Sequence, residues 1–457
     1  METIKRSLKE SAWARWTALF FISILMFASY YFYDIISSIK DTLQVQTGMS
    51  NKDYGAMYGA YSFTNAFLLM ALFGGMILDR WGIRKTGSIF MSFIVIGTFL
   101  TAYGATSGFQ NGGFGHKLFS SFLTSYSPEL KMMLLGRLLF GLGAETFYVV
   151  INKVVAKWFK GKELAFAFAM SLALGRFGTA AALISSPILI PDLSIGPVDP
   201  AVWFGFMLIL IALLGFLVYI VYDIRFDKRQ AEDGVEAEGE FSIKDLFNLF
   251  KNRSFIYITL LCILFYAAVF PFIGFAPDFL HNKFGVSLLT SGKLTSILPF
   301  GTIIFTPIFG WWCDNKGKSA SLMIFGSLLL IIVHLTFSLT MITPYIPLFL
   351  LGIAFSLVPA AMWPSVARIV PEHQLGTAYG FMFTIQNFGM MGVPILMGMT
   401  LDMNNKGIAE GAPLDYTYTI LMLSVLGILG IIFAFLLKRE DKTSGYNLES
   451  PNNTKEA

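Results

Sequence analysis

The chain has 457 residues, of which 55% are hydrophobic and only 14% charged, with a formal net charge of +4 and a mean hydropathy of +0.65. A soluble domain carries roughly 25% charged residues, so this composition excludes one, and so small a basic excess, spread over loops, reflects membrane topology and not a nucleic-acid partner. Cys262 and Cys313 both fall in apolar runs, which leaves no disulfide framework and no Cys-x-x-Cys metal site.

An apolar stretch of about 20 residues crosses a bilayer as a helix. In chain order such stretches cover 16–37, 54–78, 86–106, 131–152, 163–188 and 201–223, then 255–280, 290–312, 319–341, 345–368, 375–401 and 416–437. Between the two sets lies RFDKRQAEDGVEAEGEFSIKDLFNLFKNR, a polar linker with a short amphipathic helix expected from about Ser242 to Phe250. The expected fold is an all-α membrane protein of twelve transmembrane helices in two six-helix bundles, 16–223 and 255–437, with an N-terminal segment 1–15, a linker 224–254 and a tail 438–457. Arg15, Arg80, Arg84, Lys85, Lys153, Lys157, the linker, Lys316, Lys318, Arg368 and the tail gather on one side, whereas the other side carries few cations, among them Lys40, Lys117 and Lys283. Basic loops stay cytoplasmic, so both termini are expected there, and no cleavable signal peptide is expected before the first span.

Two pairs of segments repeat at fixed spacing. Gly75, Asp79 and Gly82 of GGMILDRWGIRK are spaced as Gly310, Asp314 and Gly317 of GWWCDNKGK, and ELAFAFAMSLALGRFG aligns with QLGTAYGFMFTIQNFG, placing Arg176 opposite Asn387. Two such halves around a midplane cavity form the architecture of alternating-access carriers.

The run GGMILDRWGIRK resembles the signature of the major facilitator superfamily, and GRLLFGLGAE is similar to its second, Arg-containing motif. More narrowly, WFKGKEL, AVFPFIG, KFG and WPSVARIVPEHQLGTAYGFM resemble the animal lysosomal dipeptide carriers of that superfamily. The resemblance implies a twelve-helix transporter, acid and Arg ligands at GAETF and LGRFG, and uniport. It also implies a gating role for Asp79, Arg80, Gly82, Arg84 and, in the second half, Asp314, with Asp79 capping a neighbouring helix. The N terminus lacks an acidic dileucine signal and the expected luminal loops lack N-x-S/T, so a bacterial inner membrane is the expected address in place of a lysosomal one. An accessory membrane subunit is expected only if the lysosomal likeness extends that far, and the transport unit is expected to be monomeric.

Ionisable groups inside a span cost roughly 2.5 to 3.5 kcal/mol at the helix centre, so each needs a reason to be there. Glu145 and Arg176 fall in the middle third of spans 4 and 5. Facing one cavity, they would bind the ammonium and the carboxylate of a zwitterion such as a dipeptide; the plainer alternative is that they pair with each other. Arg137, on nearly the same face as Glu145, is read as its structural partner, and Asp34 as a structural or proton-coupling group. Gln386 and Asn387 offer amides for a peptide bond, or serve only as glue between helices. Tyr30, Tyr33 and Tyr61 are read as cavity residues against the alternative of interfacial anchors, and Tyr266, Phe270, Phe272 and Trp363 as walls of a side-chain pocket. Packing is the default for any single phenylalanine. Pro271, Pro364 and Pro394 are expected hinges.

No Ser/His/Asp set, HExxH or phosphate loop occurs, and His116, His281, His334 and His373 are scattered, so neither an enzyme nor a metal or other cofactor is expected. The expected function is secondary transport of small zwitterions, most simply dipeptides, with uniport or coupling to protons through Glu145 or Asp34 left open. The alternatives are a carrier of an organic anion or sugar, and a sensor of the same fold.

Overall fold

The computed structural model describes residues 12–159, 163–230, 249–371, 374–409 and 411–451. Its first half comprises α1 (Ala12–Asp34), α2 (Asn51–Phe67), α3 (Met70–Gly104), α4 (Pro128–Phe159), α5 (Leu164–Ser185) and α6 (Asp199–Gln230). The second half comprises α7 (Arg253–Phe284), α8 (Ile297–Asn315), α9 (Ser319–Leu339), α10 (Tyr345–Ile369), α11 (Leu375–Asn404) and α12 (Thr417–Ser444). Eleven segments are long and apolar enough to cross a membrane, and the bent pair Asn51–Phe67 with Leu72–Leu78 supplies a twelfth. The chain is a multi-pass α-helical membrane protein.

The second span differs from its expected single helix over 54–78. It breaks after α2 at Leu69, whose φ is 52°, bends by 63°, and its last turns run on into α3. No Gly or Pro lies in AFLLM, so hydropathy alone does not distinguish a broken span from a continuous one. α3 itself leaves helical geometry at Gly82, φ 74° and ψ 169°. The repeat mate of that residue, Gly317, has φ 72°. Both halves thus turn at the same place, in a conformation glycine adopts without a Cβ penalty. The expected linker helix lies outside the described residues apart from Leu249 and Phe250.

Lipid tails provide no hydrophobic drive between helices, so close packing must come from small residues. α2 and α11 meet backbone to backbone: a Cβ on Gly55 would collide with the Pro394 carbonyl, and one on Gly59 with the Met391 carbonyl. This crossing joins the halves on the face opposite the one where α1 begins. α1 and α5 are tied by Ser23 to Ser171 at 3.4 Å and Tyr31 to Ser185 at 2.6 Å.

On the face where α1 begins, ion pairs among the described residues stay within a half: Arg15 with Glu163 at 3.2 Å, Arg84 and Lys157 with Asp223 at 3.3 and 2.6 Å, and Lys438 with Glu449 at 3.4 Å. The tail after α12 is strapped to the second half. Lys318 and Ser319 donate backbone N–H to the carbonyls of Glu449 and Leu448, both at 3.0 Å, and Arg368 donates to Ser450 at 3.0 Å. The Glu449 carboxylate accepts the Ser321 N–H and hydroxyl, both at 2.8 Å, in the first turn of α9 where an anion is favoured. Partial burial raises the Glu449 carboxyl, but Ser321 and Lys438 outweigh it and hold the pKa below the ordinary carboxylate value.

A lowered pKa means that the strap is at full strength above the ordinary carboxylate range and weakens as pH falls through the lowered value. A spin label near the end of the tail should be immobile at neutral pH and gain mobility on acidification, and Glu449→Gln should be mobile already at neutral pH. A label equally immobile in wild type and variant at every pH would contradict this account.

Candidate functional site

Arg137, Asp34, Glu145 and Arg176 lie within helices of the first half, and the structure spends them differently. Arg137 of α4 is fully buried and donates both terminal nitrogens to the Tyr33 carbonyl, each at 3.1 Å. That carbonyl lies in the last turn of α1, where helix carbonyls lack partners and a cation is favoured. The rings of Phe32 and Tyr33 lie 5.9 and 5.6 Å from its guanidinium carbon. Arg137 is therefore a clamp on the end of α1 and does not pair with Glu145 as expected, because the α1 terminus offers it a closer acceptor. Asp34, 2% exposed, accepts the Tyr58 hydroxyl at 3.0 Å and the Thr179 hydroxyl at 2.7 Å, joining α1, α2 and α5.

Among the described residues Arg176 is spent on neither kind of bond, and Glu145 on a single hydroxyl. Both are half-buried, Glu145 about midway along α4 and Arg176 about midway along α5. Among the described residues they form no ion pair with each other, so the plainer sequence reading, mutual neutralisation, does not hold. The Tyr61 hydroxyl faces the Glu145 carboxylate. The Arg176 guanidinium faces Tyr30 at 5.7 Å, Phe270 at 5.3 Å and Phe355 at 4.5 Å, measured to ring centres. Local sequence sets this up: Gly175 admits the Tyr30 ring, which a Cβ there would approach to 3.1 Å.

The remaining expected site residues divide. Tyr30 packs against Tyr148 at 5.7 Å beside the Arg176 guanidinium. Tyr266 stacks on Phe270 at 5.7 Å and accepts the Trp363 indole N–H at 3.0 Å, while Trp363 stacks on Phe383 at 4.9 Å, so these rings form one cluster. Tyr33 is buried and wedged between Tyr58 and Tyr61 at 4.9 and 4.8 Å. Phe272 packs away from Phe270, against Phe337 at 5.4 Å. Gln386 is buried between Cys262 and Met390, and Asn387, 1% exposed, donates to the Phe383 carbonyl of its own helix at 2.9 Å. Neither amide is brought to Glu145 and Arg176 by these contacts, because in an all-apolar helix face the amide finds its partner in the nearest carbonyl or sulfur. Pro271, Pro364 and Pro394 lie inside α7, α10 and α11 as expected.

At the gating loop Arg80 is exposed, Arg84 pairs with Asp223, and the side chain of Asp79 lies outside the described residues, as does its expected capping contact. Asp314 is half-buried.

Sequence reasoning missed the seal on the opposite face. Lys40, with no side-chain exposure, pairs with Asp278 of α7 and donates to Asn51 at 2.7 Å, and the Tyr416 hydroxyl donates to the same Asp278 oxygen. Asp402 of α11 accepts the backbone N–H groups of Asn51 and Lys52 at 3.1 and 2.8 Å, capping the N terminus of α2 from the other half. Tyr54 donates to the Gly274 carbonyl at 2.8 Å. Lys40, Asp278 and Asp402 stand at span ends, where a charge reads as ordinary loop. Phe355, the ring nearest Arg176, was hidden in a uniformly apolar span.

Two pseudo-symmetric six-helix halves, sealed together on one face, have the architecture of a membrane carrier of small molecules. The profile of the Major Facilitator Superfamily matches residues 19–394 and 272–455, and the chain belongs to that superfamily, whose members are transporters and not enzymes. It is 30% identical over 433 residues to the lysosomal dipeptide transporter MFSD1 of Mus musculus, covering 93% of this chain and 87% of that one. It is 22% identical over 370 residues to the hexuronate transporter of Bacillus subtilis, covering 77% and 79%. Its fold is shared with the crystal structure of the nucleoside transporter NupG, with a TM-score of 0.68 at 15% identity, over 93% of this chain and 99% of that one.

Removing one partner of a buried ion pair leaves an uncompensated charge and costs about 3 to 5 kcal/mol unless the structure opens to water. Asp278→Asn should therefore lower thermal stability or open this face. A maleimide reagent applied from that side should label a Ser37→Cys variant, buried in the sealed state, several times faster once Asp278→Asn is added. Unchanged stability together with unchanged labelling would remove the seal assignment.

Proposed function

We propose that this transporter carries small zwitterions, dipeptides with free termini above all, by alternating access, as a uniporter or with coupling to protons. We propose also that both termini are cytoplasmic, which places the Lys40–Asp278 seal on the outer side, and that residues 16–223 and 255–437 move as the two bundles. The single observation that carries the substrate reading is the pair Glu145 and Arg176: at membrane depth, half-buried, and not neutralising each other. An acid and a planar guanidinium held apart match the ammonium and carboxylate of a short peptide, and the aromatic walls formed by Tyr266, Phe270 and Trp363 accept varied side chains without demanding a hydrogen bond. The similarity to a transporter whose name specifies dipeptides supports the same choice. The organic-anion alternative is supported by the likeness to a hexuronate carrier, but an anion site has no use for Glu145 beside its cation.

Dipeptides with free termini should raise the melting temperature of the purified protein, and N-acetylated or C-amidated forms should bind about tenfold or more weakly, since each cap removes a charge-assisted bond. Equal stabilisation by free and capped peptides would remove the zwitterion argument, and stabilisation by hexuronates alone would favour the anion carrier.

Arg176→Lys keeps the charge but loses the fork, so dipeptide affinity should fall by an order of magnitude or so. Glu145→Gln should weaken binding of the ammonium and, if Glu145 also carries the proton, abolish any response of uptake to an imposed pH gradient. The measurement is dipeptide uptake into proteoliposomes with and without a gradient. Wild-type affinity in both variants would sink the site.

A further inference from the structure

Arg176 belongs to the first half, yet two of the three rings around its guanidinium belong to the second. The nearest is Phe355 of α10, 4.5 Å from the guanidinium carbon to the ring centre. Phe355 is 2% exposed and is braced edge-on by Phe270, with centroids 5.4 Å apart and planes at 86°, so its ring has little freedom to turn. Among the described residues no acceptor bonds the Arg176 fork. Aromatic faces attract a guanidinium through their quadrupole, more strongly where water is excluded, and do so without consuming its N–H donors. Where such a ring lies against the flat face of a guanidinium, the in-plane edges, along which the donors point, stay open to a carboxylate.

We propose that Phe355 is a positioning residue for recognition of the substrate carboxyl group: it fixes the plane of the Arg176 guanidinium so that the fork meets the carboxylate bidentately. This rests on reading Arg176 as the carboxylate site and goes beyond it, because selectivity for a free C terminus then depends on a ring in the opposite half. The fork is aligned only while the two halves hold this relative position.

Phe355→Leu keeps an apolar side chain and removes the π face; Phe355→Tyr restores that face. With the purified full-length chain, and L-alanyl-L-alanine and its C-terminal amide as probes, Phe355→Leu should weaken the free dipeptide about tenfold and leave the already weak amide unchanged, and Phe355→Tyr should return the free dipeptide to within about twofold of wild type. A merely structural role would weaken both probes alike or escape rescue by Tyr, and either result, or no loss for the free dipeptide, overturns the proposal. A second readout needs no ligand: phenylglyoxal, which modifies accessible arginines, should label Arg176 severalfold faster in Phe355→Leu and at the wild-type rate in Phe355→Tyr, as followed by mass spectrometry. If wild type binds neither probe, the dipeptide reading fails on its own, and the labelling still decides the positioning claim, with an unchanged rate in Phe355→Leu overturning it. Phe355→Met replaces the Leu variant should the latter fail to fold.

Discussion

A charged group in the hydrocarbon region has no water to solvate it, so it must be paired, hydrogen-bonded or turned toward a cavity, and each choice leaves a different mark on the structure. Arg137 takes the end of α1, Asp34 takes two hydroxyls, and Lys40 takes Asp278. These groups hold helices together. Glu145 and Arg176 are half-buried and, among the described residues, do not pair with each other, and that contrast, more than their presence in the spans, is what the proposed substrate site rests on.

The first half is built to hold Arg176 in place without neutralising it. Gly175 lets α1 lie close enough for Tyr30 to reach the guanidinium, Thr179 one turn further along α5 fastens Asp34, and the second half contributes Phe270 and Phe355. An acid in the place of those rings would be a stronger partner but would compete with the carboxylate of the proposed ligand. Rings stabilise the cation by about 0.5 to 2 kcal/mol each and leave its donors available.

Much of this is legible in the amino-acid sequence. Hydropathy gives the number of spans, and the repeat of Gly82 with Gly317 the relation between halves; Glu145 and Arg176 stand out because ionisable residues are rare in such runs. What could not be read has physical causes. The break at Leu69 lies in a run without Gly or Pro, the burial of Tyr33 depends on which face of α1 meets α2, and Phe355 is one phenylalanine among 46. Lys40 and Asp278 are separated by 238 positions, and nothing local links a lysine after one span to an aspartate near the end of another. Arg137 was read as structural, but its acceptor is a backbone carbonyl, which no side-chain pattern reveals.

The chemistry of the seal suits a carrier that must open it every cycle. An apolar seal of similar extent would expose its surface to water at about 25 cal/mol for every Å² on opening, with nothing to offset the cost. A buried ion pair is different: its Coulomb attraction roughly balances the solvation it gives up, so separating Lys40 from Asp278 into water recovers most of what is lost. The same holds for Asp402 on the first turn of α2 and for the Tyr416 and Tyr54 hydroxyls, each of which water can replace. The glycines that bring α2 and α11 together supply close contact without large interlocking side chains, so the two backbones can part along a smooth surface. The closed state is thus specified by geometry, with each polar partner in one place, and a ligand shifts the balance away from it only by as much as it prefers the other state.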